Sequence, residues 1–426
     1  MLSSGQRQQL LAFQLLTACR PHILSQFQHA LEVSRATAIK DLETIEPWLA
    51  QFGLRVARRQ HRGIWLEGSE LARRQALAAL TWGDVPFDRP ILRVSREQGI
   101  SFALANDAAL LPLAGTVNSF IAALDLRAAR QWVERAEAGL GGRFAEEGVD
   151  ELALAIALQR QRVATKQFVA WAPQELDWLQ AQAAWPVATR LASELWPDLP
   201  QPVVLAEAAA LAVQILACPR DEPWQPDLPA NQQFQELLAA LQAESATAYA
   251  LPAIATDRLL REGLEAHLLP ASTRRRFNLW GPTRPLAQTP VERQSVDQSV
   301  AARLAQRVFE ATGIALPPTA EHELALLLHA AVVRARPERT RHVIVVCPSG
   351  MATTQLLVAR LQARLPRLGT FEVLPLRALT AERVAAADLI ISTVPLHLPG
   401  ETSTPVVQVH PTLRSEDISA LAQWMT

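Results

Sequence analysis

HVIVVCPSGMATTQLL, running from His342 to Leu357, decides how the C-terminal part of this chain folds. HVIVVC is an unbroken apolar run, the pattern of a strand covered on both faces, and it ends at Cys347 in a turn. A helix is predicted from about Thr353 to Leu365. Cys347 is thereby delivered to the carboxyl end of a strand, where the loop Pro348 to Ala352 offers successive backbone N–H groups in front of a helix N-terminus. That is an anion cradle with a sulfur nucleophile at its base. The same dipoles favour thiolate over thiol and would stabilise a phosphoryl group on the sulfur, and Gly350 lets the backbone come close to an anion. A cysteine at a strand end is, taken alone, more often a packing residue. The loop that follows it, Pro348, Ser349, Gly350, Met351, Ala352, Thr353 and Thr354, is what assigns it a chemical role.

Toward the C-terminus, FEVLPL, DLIISTV and PVVQV are further short apolar runs, interleaved with a short helix through Ala386 and closed by a terminal helix. Buried strands alternating with helices predict a small α/β unit with an open parallel sheet over residues 341–426. A tyrosine-phosphatase loop also starts with cysteine but closes with a phosphate-binding arginine six positions on, where this chain has Thr353. DLIISTV offers no obvious general acid. A carrier that accepts and hands on phosphate fits better than a hydrolase.

Toward the N-terminus, residues 101–338 read as helical and rich in alanine and leucine, broken by prolines at Pro219, Pro223, Pro226 and Pro229 and at Pro317 and Pro318. An internal repeat lies here. ELALAIALQRQRV (Glu151 to Val163) can be laid on GLEAHLLPASTRRRF (Gly263 to Phe277) at an offset of 112 residues, which sets Arg162 over Arg274. LPQPVVLAEAAALAVQILA from Leu199 likewise overlies LPPTAEHELALLLHAAVVRA from Leu316. Two all-α units in tandem, 101–221 and 222–338, account for both matches. The second contains His267 and His329; the first has Ala155 and Ala212 opposite them, and no histidine occurs between His61 and His267.

Residues 1–82 read as three helices and two strands. Ser34 is a suitable N-cap for a helix in which Ile39, Leu42, Ile45 and Leu49 share one face, while Arg35, Thr37, Ala38, Lys40 and Asp41 point elsewhere. LRVARRQHRGIWLEG, from Leu54, suits two strands joined by a basic tip with Arg58, Arg59, His61 and Arg62, and Gly63 permits the turn. That order is a winged helix-turn-helix. It would set the helix from Ser34 in the major groove of double-stranded DNA and the wing tip on backbone phosphates. The segment carries ten basic against six acidic side chains, +4, although the 426-residue chain as a whole stands at −1, which excludes a uniformly basic nucleic-acid coat. Residues 83–100, with Gly83, Pro86 and Pro90, read as a linker.

Cys19, Cys218 and Cys347 are too few and too scattered for a disulfide framework or a zinc site, so a reducing, cytoplasmic setting is expected, with no metal and no cofactor. The most apolar stretch, Val203 to Cys218, carries Glu207 and Gln214 and is too short to span a bilayer.

Cys347 to Thr354, together with DLIISTVPL (Asp388 to Leu396), resembles the enzyme IIB domain of the bacterial sugar phosphotransferase system, of the galactitol type. Behind two helical repeats and a winged helix, such a unit makes nearly the whole chain resemble transcriptional activators with phosphotransferase-regulation domains (PRDs), of the mannitol-operon activator type. The resemblance implies that Cys347, His267 and His329 accept phosphate, that Arg274 or Arg275 pairs with a phosphohistidine, and that His322 is a weaker candidate. It implies a degenerate first PRD with a structural or dimerising role. Operator DNA, phosphocarrier and enzyme IIA/IIB proteins and a second copy of the chain are the implied partners, and no enzymatic turnover is expected. The family often adds an enzyme IIA-like domain; none is found before Thr426, so the phosphate donor is expected in trans. Two alternatives remain: RNA antitermination, which would call for a β-rich N-terminus, and a phosphotransfer component relaying phosphate to a sugar through Cys347.

Overall fold

The computed structural model describes residues 3–95, 100–105, 113–225, 228, 231–282, 296–335, 342–365, 368–398 and 404–425. The chain is mostly helical and ends in a four-stranded parallel sheet. Among the described residues no helix is long and apolar enough to cross a membrane.

The first unit runs α1 (Ser4–Thr17), α2 (Leu24–Leu31), α3 (Arg35–Gln51), β1 (Arg55–Arg59), β2 (Gly63–Glu67) and α4 (Glu70–Trp82). Serines start three of its helices: Ser3, Ser34 and Ser69 accept from the backbone N–H of Gln6, Thr37 and Ala72. β1 and β2 pair antiparallel from Arg55 opposite Glu67 to Arg59 opposite Gly63. The α1–α2 connection adds a third rung, His22 and Ile64 exchanging backbone bonds of 2.8 and 2.7 Å. Gly63 is needed for that approach as well as for its φ of 97°, because a Cβ there would lie 2.4 Å from the His22 carbonyl oxygen.

The inner face of α3 is rotated from the expected one. Ala38 and Asp41 are buried and Ile39 only half so, because α3 crosses α1 at this end and Arg7 of α1 reaches Asp41 at 2.7 Å. Residues 83–100 are also more than a connection. They hold β3 (Leu92–Ser95), paired antiparallel with β4 (Ser101–Leu104), which itself lies where helix was expected. Phe87, Ile91, Leu92, Ile100 and Phe102 join the main core. Gln9 ties the stretch down, donating to the carbonyls of Asp88 (3.3 Å) and Arg89 (3.1 Å) and accepting from Ile91 N–H (3.1 Å).

Among the described residues ten α-helices follow: α5 (Ala114–Ala122), α6 (Leu126–Leu140), α7 (Glu146–Ala164), α8 (Pro173–Gln180), α9 (Trp185–Leu195), α10 (Gln201–Ala217), α11 (Gln232–Tyr249), α12 (Arg258–Arg276), α13 (Val296–Thr312) and α14 (Pro318–Arg334). α7 and α12 are each 19 residues long and correspond end to end at the offset of 112. α10 and α14 are each 17 residues long. The boundary expected between 338 and 341 lies outside the described residues, as do Pro226 and Pro229.

The last unit comprises β5 (His342–Val346), α15 (Met351–Arg364), β6 (Thr370–Val373), α16 (Ala381–Ala386), β7 (Leu389–Ser392), β8 (Val406–Gln408) and α17 (Ser415–Met425). Its strands lie in the order β6-β5-β7-β8, all parallel. β5 is central, and its alternate side chains enter two different cores: Val343 and Val345 on one face, Ile344 and Val346 on the other. That is why its sequence is apolar without alternation.

A buried set of charges joins the first unit to the first helical one. Arg74 of α4 grips Glu207 of α10 at 2.7 and 3.0 Å and donates to the Gln167 carbonyl at 2.9 Å. Glu70, one turn before Arg74, receives Arg162 of α7 through two bonds of 2.7 Å. Glu207 is wholly buried and also accepts from Gln159 and from Val169 N–H. Removing Glu207 leaves the buried Arg74 with only Glu70, at 3.2 Å, and the Gln167 carbonyl to offset its charge. Glu207→Ala is therefore expected to cost about 3–5 kcal/mol, read as a lower urea midpoint. Arg135→Ala, which breaks the exposed pair with Glu194, should cost under about 1 kcal/mol.

Candidate functional site

Gly350, at φ 90° and ψ 167°, stands at the N-cap of α15, so the helix begins at Met351, two residues before the expected Thr353. The turn proper is Pro348 to Gly350, and Met351, Ala352, Thr353 and Thr354 form the first turn of the helix. Open space surrounds the position where a Cβ would stand on Gly350, so its conformation is what calls for glycine. Thr354 holds the turn closed, donating to the Gly350 carbonyl at 2.9 Å and lying 3.3 Å from the Cys347 carbonyl. Cys347 is buried at the base of this turn and Ser349 is exposed at its rim.

α15 does not face solvent on all sides. Ala352 enters the apolar core made by α11, α12, α13 and α14, and Gln355 donates to the Leu259 carbonyl of α12 at 2.8 Å. Gly263 of α12 leaves room for the contact, since a Cβ there would lie 2.6 Å from a Leu327 methyl carbon and 3.1 Å from the Gln355 oxygen. The helix that starts at the cysteine loop thus packs against the two helices that carry His267 and His329.

Those histidines differ in surroundings. His267 on α12 is nearly buried, with Nε2 2.9 Å from the Ala320 carbonyl and Nδ1 2.6 Å from Glu323, both on α14. Burial works against its charge, but the hydrogen bond and negative charge of Glu323 and the Ala320 carbonyl outweigh it and raise its pKa above the usual histidine value. His329 on α14 is 39% exposed, and its Nδ1 lies 2.8 Å from Asp297 of α13. The other Asp297 oxygen accepts from Tyr249, the chain's one tyrosine, at 2.7 Å. Burial alone would raise the Asp297 pKa; the bonds from His329 and Tyr249 and the charge of His329 hold it below the usual carboxylate range. His322 is half-buried in the first turns of α14.

Arg274 and Arg275 stand two turns beyond His267. Arg274 is committed elsewhere: it donates to the Ala217 carbonyl at 2.8 Å and pairs with Glu151, both in the first helical unit. Arg275 is exposed. Past the end of α12, Asn278 donates to the Gln51 carbonyl and Trp280 to the Gln75 and Asp84 side chains, so this tail lies on the first unit. Ala155, the counterpart of His267, lines a cavity of about 30 Å³ together with Arg74, Gln75, Arg274 and Trp280. In the first helical unit the equivalent face is covered by its neighbours.

At the opposite end of the chain, Ser34, Arg35 and Lys40 are exposed, Thr37 is half-buried, and Ala38 has no exposed surface with which to touch a ligand. Arg59 and His61 are exposed at the hairpin tip, Arg58 pairs with Glu46, and Arg62 covers the Trp65 ring at 4.8 Å. Arg20, Arg73 and Lys166 line a cleft of about 600 Å³ beside Arg62 and Trp65. The sequence reading missed these three because they converge from separate segments. It also missed Asp297, Glu323 and Tyr249, for which the chain's single tyrosine was the only available signal.

Arg377 anchors the C-terminal unit to the first helical unit. It donates to Glu137 at 2.8 Å and to the Phe144 carbonyl at 3.1 Å and pairs with Glu146 at 2.9 Å. Asp221 is half-buried beside this group, with its Oδ1 out of reach of solvent. Burial, opposed by Arg377 and reinforced by Glu222, Glu146 and Glu137, pushes its pKa up to about 7.

No family model matches the chain. It is 26% identical over 281 residues to the probable licABCH operon regulator of Bacillus subtilis (strain 168), an alignment covering 64% of this chain. The chain spans 43% of that relative's own length.

The raised pKa of Asp221 fixes a sign. The neutral carboxyl suits the folded site, so what this group contributes to stability is fully present below about 4, the ordinary aspartate value, and is lost as pH rises through about 7. Asp221→Asn, neutral throughout, should have a higher melting temperature than wild type at pH 8, with the gap shrinking steadily toward pH 4. Melting curves over that range that ran parallel would contradict this.

Proposed function

We propose that this chain is a DNA-binding regulator, an activator, of a sugar- or polyol-utilisation operon, controlled by phosphotransferase phosphorylation. On this reading residues 1–82 are a winged helix-turn-helix, the two helical units are PRDs of which the first is degenerate, and residues 341–426 are an enzyme IIB-like domain. The observation that carries it is the packing of α15, the helix opening at the Cys347 turn, onto the helices bearing His267 and His329. A phosphoryl group at any of the three adds about two negative charges beside shared packing. The operon-regulator name of the relative supports the same assignment. Arg35, Thr37 and Lys40 face the DNA bases or phosphates, Arg59, His61 and Arg62 the backbone, and a homodimer sets half-site spacing. Phosphate comes from phosphocarrier or enzyme IIA/IIB proteins, and the chain catalyses no turnover of its own.

Selective binding to its own upstream DNA, measured by fluorescence anisotropy, is the expected result. Arg35→Ala and Lys40→Ala should weaken it, and each lost phosphate contact should reduce the salt slope by about one. Replacing His267 or His329 by Ala and by Asp should change promoter activation in opposite senses for the two replacements. Absence of selective DNA binding, combined with transfer of phosphate from Cys347 to a sugar through a membrane partner, would establish the phosphotransfer component instead.

A further inference from the structure

We infer that the two histidines of the second helical unit are unequal acceptors: His329 is open and takes phosphate first through Nε2, with Asp297 as its positioning residue, whereas His267 is latched by Glu323 and Ala320. This rests on the reading that this unit's histidines accept phosphate at all.

The case is one of lone pairs and access. Asp297 accepts at 2.8 Å from Nδ1 of His329, which sets the proton on Nδ1 and leaves the lone pair of the neutral ring on Nε2. Tyr249 fixes the carboxylate from its other oxygen at 2.7 Å, so the ring cannot rotate without breaking a chain of two hydrogen bonds. The side chain is 39% exposed, enough for a partner protein to approach. His267 has the opposite arrangement. Both of its nitrogens face acceptors, Ala320 at 2.9 Å and Glu323 at 2.6 Å, and its side chain is only 11% exposed. A ring donating on both sides is an imidazolium with no lone pair to offer. It must lose the proton of one nitrogen and break that nitrogen's contact, with Ala320 or with Glu323, before it can attack.

The transfer balances with an N-phosphohistidine protein as donor. The Nε2 lone pair of His329 attacks phosphorus as the donor's P–N bond breaks, and that electron pair returns to the donor ring nitrogen. The new phosphohistidine keeps its Nδ1 proton, and Asp297 faces the positive charge that the ring acquires. Nothing is oxidised or reduced.

The test uses the full chain incubated with phosphoenolpyruvate, enzyme I and the general phosphocarrier protein, with site-resolved mass spectrometry at alkaline pH and 31P–15N NMR to identify the ring nitrogen. Wild type should label His329 on Nε2 at least about tenfold faster than His267. Asp297→Asn, which offers an amide in place of the carboxylate, should slow His329 about tenfold or more with His267 and Cys347 labelling unchanged. Asp297→Glu should restore part of the rate, and Tyr249→Phe should slow His329 less than Asp297→Asn. Glu323→Gln should speed His267 severalfold and leave His329 alone. Labelling of His267 first, phosphate on Nδ1 of His329, or a His329 rate indifferent to Asp297→Asn would each overturn the inference while leaving the regulatory reading intact. Failure to label either histidine with an active donor would overturn both.

Discussion

Two arginines and two glutamates, Arg74, Arg162, Glu70 and Glu207, meet almost out of contact with water where α4 crosses α7 and α10. Charges in such a place tolerate one alignment, because sliding either surface by a turn would leave a guanidinium or carboxylate desolvated and alone. Apolar packing between alanine- and leucine-rich helices has no such selectivity, since many registers bury similar area. The network therefore contributes geometry more than net stability. It makes α4, the last helix of the first unit, a fixed strut on the first helical unit, and the orientation of α3 and the hairpin follows from it.

α12 extends this logic along the chain. One end receives Gln355 from the helix of the cysteine turn, its middle holds His267, Arg274 near its other end grips the first helical unit, and the residues just beyond lie on Gln51, Gln75 and Asp84. Nineteen helical residues, Pro270 among them, span about 28 Å. A shift of α12 relative to α14 is thus felt by every unit at once. The pair of bonds between His267 and α14 opposes such a shift, and Arg377 adds a second brace by fixing the C-terminal unit to the first helical one.

What the sequence disclosed follows from how local the cause was. Ser34 as a cap, the apolar run of β5, the turn at Gly350 and the offset of 112 residues all depend on neighbours within a few positions or on direct self-similarity. β3 and β4 escaped notice because each has only four residues and is flanked by Pro90 or Gly99, which read as breakers. Ala38 was misjudged because a short side chain on a polar-looking stretch can mark the close crossing of a helix 34 positions earlier, where Arg7 meets Asp41. The partners of the histidines were invisible for the same reason: Asp297 is 32 positions from His329, and Glu323 is 56 from His267. Arg274 lies opposite Arg162 at that offset, yet what it touches is decided by the neighbouring unit.

Arg162 and Arg274 occupy corresponding sites in the two repeats, and each reaches back toward the N-terminus, the first to Glu70 and the Leu16 carbonyl, the second to Glu151 and the Ala217 carbonyl. Arg377 and Gln355 do the same from the last unit. During synthesis the later member of each of these joints therefore meets a surface already made, whereas Arg74 of α4 has to wait for Glu207 of α10 before its charge is fully matched.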